Sequence, residues 1–267
     1  MIQTYLLDSS VLADPFEAGF AMHGISKCRI EKIRRIKHPG ARKQSFGAAL
    51  LEKYVLERLA PEANIHTNGY GKPVCAGIPF NLSHTKDAVI LSVWESTDGV
   101  PQDFRHLGAL PADVCLGCDI ERARQYEPHI ARRFFTEAEY ESLEAAGSKE
   151  AQAELFYRYW TKKESVMKLT GLGMSLPMDL YDVRGSQVVL DTKKAMSWYG
   201  KSRRQEQKKP EFTQAAEVFL HHRLFLKEYR YEEYCITVCS IFEQFAPEIL
   251  LMDFEGRQYE PLLGKGV

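Results

Sequence analysis

Three carboxylates, Asp119, Glu121 and Glu164, are the side chains whose types and spacing point most directly to chemistry in this 267-residue chain. Asp119-Ile120-Glu121 closes an apolar run, LGCDIE, that reads as a strand. Side chains alternate across a strand, so Asp119 and Glu121 share one face while Ile120 points to the core. Two carboxylates on one face repel unless a cation lies between them. Hard oxygen ligands suit magnesium, which takes one or two carboxylates together with phosphate oxygens and water. Taken alone, an Asp-x-Glu pair is also what an acidic strand end meeting solvent looks like. The segment AELFYRYWTKKESVMKLTG adds support, because Trp160, Glu164 and Lys168 follow at i, i+4 and i+8 and form one column of a helix. A solvent-facing Glu–Lys pair at that spacing is worth about 0.2–0.5 kcal/mol and needs no function. Here, however, Phe156, Tyr159, Val166, Met167 and Leu169 surround the column. They predict a largely buried helix, and a buried Glu–Lys pair needs a reason. Glu164 then completes a metal set, and Lys168 can hold a phosphate beside it.

A second cluster lies upstream. Asn81, Ser83 and His84, in NLSHT, precede the apolar run AVILSVW. A polar segment entering a buried strand presents hydroxyl, imidazole and backbone N–H groups to an anion. The plainer alternative is a polar turn with a capping Ser. Tyr70-Gly71-Lys72-Pro73 sets Lys72 on a rigid turn close by in sequence.

These side chains need elements to position them. QTYLLD reads as a strand. Residues 25–38 carry Ile25, Ile30, Ile33 and Ile36 near the helical period, and Pro39-Gly40 breaks the chain after them. SFGAALLEKYVLERL, 45–59, is helical with Ala48, Leu51, Val55 and Leu59 on its apolar face, and Pro61 ends it. Residues 67–81 are rich in Gly and Pro and read as loop. AVILSVW is a buried strand, 95–113 is a connection, and VCLGCDIE opens a second half. Thr136 and Glu139 form a capping-box pattern. Glu150 to Thr170 is the longest helical stretch, stopped by Gly171-x-Gly173. From Leu180 onward LYDVRGSQVVL, AEVFLHHRLFL and EEYCITVCSI read as strands, with a loop over 193–209 and a weakly patterned tail after Phe242. The order suggests an α+β fold of two comparable halves, 1–113 and 114–267, with the site between them.

Composition narrows the function classes. The net charge is −1, but residues 27–43 hold eight Lys or Arg against one Glu, and residues 193–209 hold seven against one. Such patches suit an anionic partner or a solvated face. Aromatic interleaving in the second patch is limited to Trp198 and Tyr199, which argues against a nucleic-acid binder. No apolar run is long enough to cross a membrane, and no secretory pattern opens the chain, so the cytoplasm is the expected location. The six cysteines are too sparse for a disulfide scaffold. Cys115, Cys118, Cys235 and Cys239 have spacings that would admit a zinc site, but their apolar settings read as buried strands.

GYGKP, FNLSHT, LGCDIE, RRFFTEAEY and WTKKESVMKLTGLGMSLP, in this order between about Arg29 and Pro177, resemble the 4'-phosphopantetheinyl transferases. The likeness is to the larger monomeric type that activates peptide and polyketide synthases. The resemblance implies two similar α/β halves related by a pseudo-two-fold. It implies magnesium, or manganese in its place, on Asp119, Glu121 and Glu164, with coenzyme A as co-substrate. It implies a phosphate contact from Lys168, with Ser83 and His84 near the adenosine 3'-phosphate. Lys72 is similar to the lysine of the family's GKP turn beside the nucleotide. Arg29 and Lys32 fall where the family has basic residues near the 3'-phosphate. Lys43, before Gln44 and Ser45, falls where it often has a basic residue followed by a hydroxyl. The implied partner is an apo acyl or peptidyl carrier protein, whose serine attacks the β-phosphate of coenzyme A and releases adenosine 3',5'-bisphosphate. Glu164 or a metal-bound water is the implied proton acceptor. A non-catalytic coenzyme A or carrier-protein binding module is the alternative.

Overall fold

The run QTYLLD becomes strand β1, Ile2–Asp8, in a computed structural model that describes residues 1–17, 25–59, 61, 65–68, 71–75, 77–95, 115–205, 210–252 and 259–261. Helix α1, Lys27–Arg35, starts at Ser26, whose hydroxyl accepts the Arg29 N–H at 3.2 Å. Pro39-Gly40 separates it from α2, Pro39–Leu51, but as the opening of that helix and not as loop. Pro39 sits in the first turn, where a missing N–H loses no hydrogen bond, and His38 caps it. The helix then loosens into a π turn, Glu52–Leu56, and ends with Glu57–Leu59. Ala48, Leu51 and Val55 are buried as their spacing predicts.

Two segments expected as loop or turn are strands. The Gly/Pro-rich stretch holds β3, Pro73–Cys75, which pairs with β2, Ile65–Thr67, at its leading edge. Gly71 turns the hairpin at φ +81° and donates its N–H to Asn68 O, while Tyr70 lies outside the described residues. FNLSHT is β4, Phe80–Thr85, paired antiparallel with β5, Ala88–Trp94. Its polar residues alternate at Asn81, Ser83 and Thr85, so the polar segment expected to enter a strand is itself a strand with one polar face, and not the alternative turn.

Strand β6, Leu116–Arg122, follows the connection, of which residues 96–114 lie outside the described residues. Helices α3, Pro128–Phe134, and α4, Glu137–Glu144, come next, the second opening with the expected capping box of Thr136 and Glu139. Helix α5, Lys149–Thr170, ends at Gly171, whose φ of +72° is left-handed. A small hairpin of β7, Tyr181–Asp182, and β8, Val189–Leu190, leads into α6, Thr192–Gln205. The expected loop over 193–209 is thus mostly helix. Ala195 and Trp198 are buried at i and i+3, the Trp198 indole N–H donates to Ser175 O, and residues 206–209 lie outside the described residues. AEVFLHHRLFL is likewise not one strand. It spans the end of α7, Pro210–His221, and the start of β9, Phe225–Tyr231. Phe212, Ala215, Ala216 and Phe219 are buried at helical spacing, which outweighs the strand-like composition around them. The chain closes with β10, Tyr234–Ser240, β11, Phe245–Met252, and β12, Tyr259–Pro261.

The fold is α+β. One sheet runs β12-β11-β1-β5-β4 and the other β6-β10-β9. Strand β11 lies parallel to β1, so the weakly patterned tail returns to the first sheet. The two halves therefore share a sheet, and the expected boundary at 113 falls outside the described residues. A core of Ile2, Leu6 and Ile90 against Cys118, Ile120 and Val238 joins the sheets. Cys118 is in that core, whereas Cys115, Cys235 and Cys239 are in the other, under α5, so the four thiols do not converge. Among the described residues no helix is long and apolar enough to cross a membrane.

Gly117 sets the distance between β6 and α5. A Cβ there would lie 2.1 Å from Ser165 O and 2.2 Å from Leu169 N, so only glycine lets the helix lie this close. Asp119 and Glu121 share the face of β6 on which Gly117 meets the helix.

Candidate functional site

The site grows from two sheet edges laid side by side. Asn81, Ser83 and Thr85 line one face of β4, and each reaches β6. The Cys118 N–H donates to Asn81 Oδ1 at 2.9 Å, the Ser83 hydroxyl to Asp119 Oδ1 at 2.8 Å, and the Thr85 hydroxyl to Glu121 Oε2 at 2.8 Å. The two-residue spacing of Asn81, Ser83 and Thr85 on β4, matched by that of Asp119 and Glu121 on β6, places these bonds in a row, so side chains bridge edges that share no backbone ladder. Helix α5 covers the row. Most of its second half is buried, but Trp160, Glu164 and Lys168 are each half-buried, as their shared column predicts. Trp160 stacks on Phe156 and meets Phe134 edge-on, which anchors the start of the column.

Lys168 Nζ donates to Asp119 Oδ1 at 2.5 Å and to Ser83 Oγ at 2.7 Å. The Ser83 hydroxyl thus accepts from Lys168 and donates to the same carboxylate. Burial alone would lower the Lys168 pKa, but the adjacent Asp119 carboxylate outweighs it and holds the ammonium above its ordinary value. Asp119 Oδ2 is buried and has no hydrogen-bond partner. Glu164 is pushed up to about 7 by burial and then by the Asp119 charge, with Lys168 opposing. Glu121 is raised for the same two reasons, while its bond from Thr85 opposes. Among the described residues, three carboxylates therefore share one neighbourhood with a single close ammonium, that of Lys168.

Among the described residues no three His, Cys, Asp or Glu side chains stand grouped as a ready metal cage. The donors nevertheless fit a divalent cation. A buried carboxylate oxygen lacks a partner, and two further carboxylates are raised by burial and then by the Asp119 charge. A hard cation would relieve all three.

The remaining expected residues divide. His84 points away from the carboxylate row, on the other face of β4. Its pKa is lowered by partial burial and then by the charges of Lys168, Arg29 and Lys32, which ties helix α1 to the site. Arg29 donates to Glu52 Oε1 at 3.0 Å, and Lys32 is exposed one turn on. Lys43, in the second turn of α2, is half-buried. Among the described residues no hydrogen bond or ion pair joins it to this set. Lys72 is not brought among the carboxylates. Its buried ammonium donates to Leu116 O and Leu169 O, each at 3.0 Å, and so ties the end of α5 to the start of β6. Sequence reasoning missed Thr85 and Glu52. Alternation from Ser83 signals the first, once the segment is read as a strand. Nothing in the helical period signals the second. Beside Glu121 an open cleft is lined by Thr85, Lys86, Arg122, Arg124 and Glu233, with Arg124 fixed by a 3.0 Å bond to the Tyr157 hydroxyl.

A family model described as the 4'-phosphopantetheinyl transferase superfamily matches residues 115–239. The chain is 32% identical over 170 residues to 4'-phosphopantetheinyl transferase Sfp of Bacillus subtilis (strain 168), covering 61% of this chain and 67% of the relative. It is 30% identical over 159 residues to 4'-phosphopantetheinyl transferase gsp of Aneurinibacillus migulanus, covering 58% and 59%. It is 26% identical over 160 residues to the L-aminoadipate-semialdehyde dehydrogenase-phosphopantetheinyl transferase of Homo sapiens, covering 54% and 47%.

Proposed function

The chain belongs to the 4'-phosphopantetheinyl transferase superfamily, and we propose that it moves the 4'-phosphopantetheine group of coenzyme A to a serine of an apo acyl or peptidyl carrier protein. The observation that carries the reading is the half-satisfied Asp119, held by Ser83 and Lys168 on one oxygen and bare on the other. A divalent cation, magnesium or manganese, bound by Asp119, Glu121 and Glu164 would supply Lewis-acid charge to the pyrophosphate of coenzyme A.

The other roles belong to the chain itself. An ammonium has three N–H donors, and Lys168 spends two of them on Asp119 and Ser83. The third is available for a phosphate oxygen, and the side chain is 31% exposed, which leaves it in reach. Charge placed in advance where negative charge develops lowers the barrier. The carrier serine forms a bond to the β-phosphorus as the bond to the departing 3',5'-bisphosphate breaks. Its proton needs an acceptor, and Glu164 or a water held beside the carboxylates can serve. His84, Arg29, Lys32 and Lys43 supply the basic surroundings for the 3'-phosphate. In this reading Lys72 acts by tying α5 to β6, which holds Lys168 over Asp119. The cleft beside Glu121 leaves an approach for the acceptor serine.

The test is a mass measurement on apo carriers incubated with the protein, coenzyme A and magnesium. The expected outcome is one added phosphopantetheine per carrier. No mass change on an acyl, a polyketide and a peptidyl carrier alike would sink the proposal.

A further inference from the structure

An acid lies inside the basic region that the proposed reading assigns to the 3'-phosphate. Glu52 is buried, opens the π turn at the end of α2, and accepts from a terminal nitrogen of Arg29 at 3.0 Å. The two side chains are 17% and 11% exposed. Burial raises the Glu52 carboxyl, while Arg29 and then Lys32 pull it down. Two features set this pair apart from an ordinary helix-to-helix ion pair. The first is the π turn, a rare departure from α geometry that often marks functional positions. Glu52 enters it with its N–H shared between Ala48 O and Ala49 O. The second is that Arg29 Nε is buried and has no hydrogen-bond partner. A buried guanidinium N–H without a partner is costly, and nothing among the described residues repays it. Guanidinium presents five donors in a fixed fork, and phosphate is taken most strongly by two of them together.

We infer that Glu52 is a positioning residue for phosphate recognition: it grips one terminal nitrogen of Arg29 and so fixes the guanidinium in place for the 3'-phosphate of coenzyme A. An untethered arginine would lose more side-chain entropy on meeting the phosphate. The inference rests on the reading of Arg29 as a 3'-phosphate contact, and the experiment separates the two.

The kcat/KM for coenzyme A is divided by that for 3'-dephospho-coenzyme A in the wild type, Glu52→Gln, Arg29→Ala and the double variant. Glu52→Gln is expected to lower this ratio about tenfold, the size of one lost charge-assisted hydrogen bond, chiefly through KM for coenzyme A. Arg29→Ala lowers it at least as far, and Glu52→Gln adds nothing in that background. If Arg29→Ala leaves the ratio intact, the 3'-phosphate reading itself falls. If Arg29→Ala lowers it while Glu52→Gln costs both substrates equally, Glu52 only holds two helices together and the inference is overturned. Should Glu52→Gln not fold, Glu52→Asp keeps the charge, shortens the reach, and is expected to show the same loss of ratio.

Discussion

Lys163 and Glu164 are neighbours on α5, yet they belong to buried charge clusters of opposite construction. Lys163 and Glu139 form an ion pair at 2.9 Å with neither side chain exposed. The three N–H groups of Lys163 meet Glu139, Met178 O and Tyr181 O. Glu139 in turn accepts the N–H groups of Thr136 and Val183. Every donor in that cluster has an acceptor, as buried polar networks require if they are to hold a fold. About 100° around the helix, Glu164 faces Asp119 and Glu121, where one buried oxygen is bare and two carboxylates are pushed toward protonation. A closed cluster holds structure; an open one stores unfavourable interactions that a ligand can remove. The pairing of the two on one helix ties the rigid frame directly to the site it positions.

The largest test of this contrast is Glu164→Gln. Turnover is expected to fall on the order of a thousandfold, since a ligand of the proposed cation and a candidate proton acceptor are lost together. Stability moves the other way. Glu164 sits at about 7 in the folded chain against an ordinary 4.5, so the native state holds more protons than the unfolded one between those values. Native stability without metal therefore falls as pH rises from 4.5 to 7. Glu164→Gln removes that penalty, and thermal unfolding in chelator at pH 8 should show a Tm above that of the wild type. A lower Tm would mean that Glu164 belongs to the closed kind of cluster.

Lys163→Met attacks the closed cluster. It strands the Glu139 carboxylate in the core, which is expected to cost about 3–5 kcal/mol in denaturant unfolding. Molecules that remain folded should still turn over, because Lys163 touches none of the proposed site. A loss under about 1 kcal/mol, the scale of a surface pair, would dissolve the distinction.

The open cluster was the more legible of the two in the sequence, for a physical reason. Asp119, Glu121, Glu164 and Lys168 declare their faces through local periods, two for the strand and about 3.6 for the helix, and the structure keeps those faces. The closed cluster has no local sign. Glu139 is visible as the third helical residue after a capping Thr, but its bond to Lys163 depends on how α4 packs on α5. Lys72 shows the same limit. A lysine on a turn looks alike whether its ammonium meets solvent, a nucleotide or the carbonyl of Leu169, a residue 97 positions away. Glu52 owes its direction to a π turn, which no helical period encodes. Helices α6 and α7 were hidden differently, one behind its charge and the other behind the run of Leu224, Phe225 and Leu226 that follows it.

The smallest test separates the cap from the ion pair, which share Glu139. Thr136 Oγ1 accepts the Glu139 N–H at 3.3 Å, and Glu139 Oε2 accepts the Thr136 N–H at 2.7 Å. Thr136→Ala removes only the first bond, because the second uses the backbone and survives. The expected loss is about 1 kcal/mol, the ordinary value of an N-cap, with activity per folded molecule unchanged. Lys163→Met removes the countercharge of the same carboxylate without touching the cap. If the two losses add in the double variant, the cap and the ion pair are independent supports that meet at one side chain. If Thr136→Ala alone approaches the Lys163→Met loss, the hydroxyl is what orients Glu139 toward Lys163. The closed cluster would then extend to the first turn of α4 and act as a single unit.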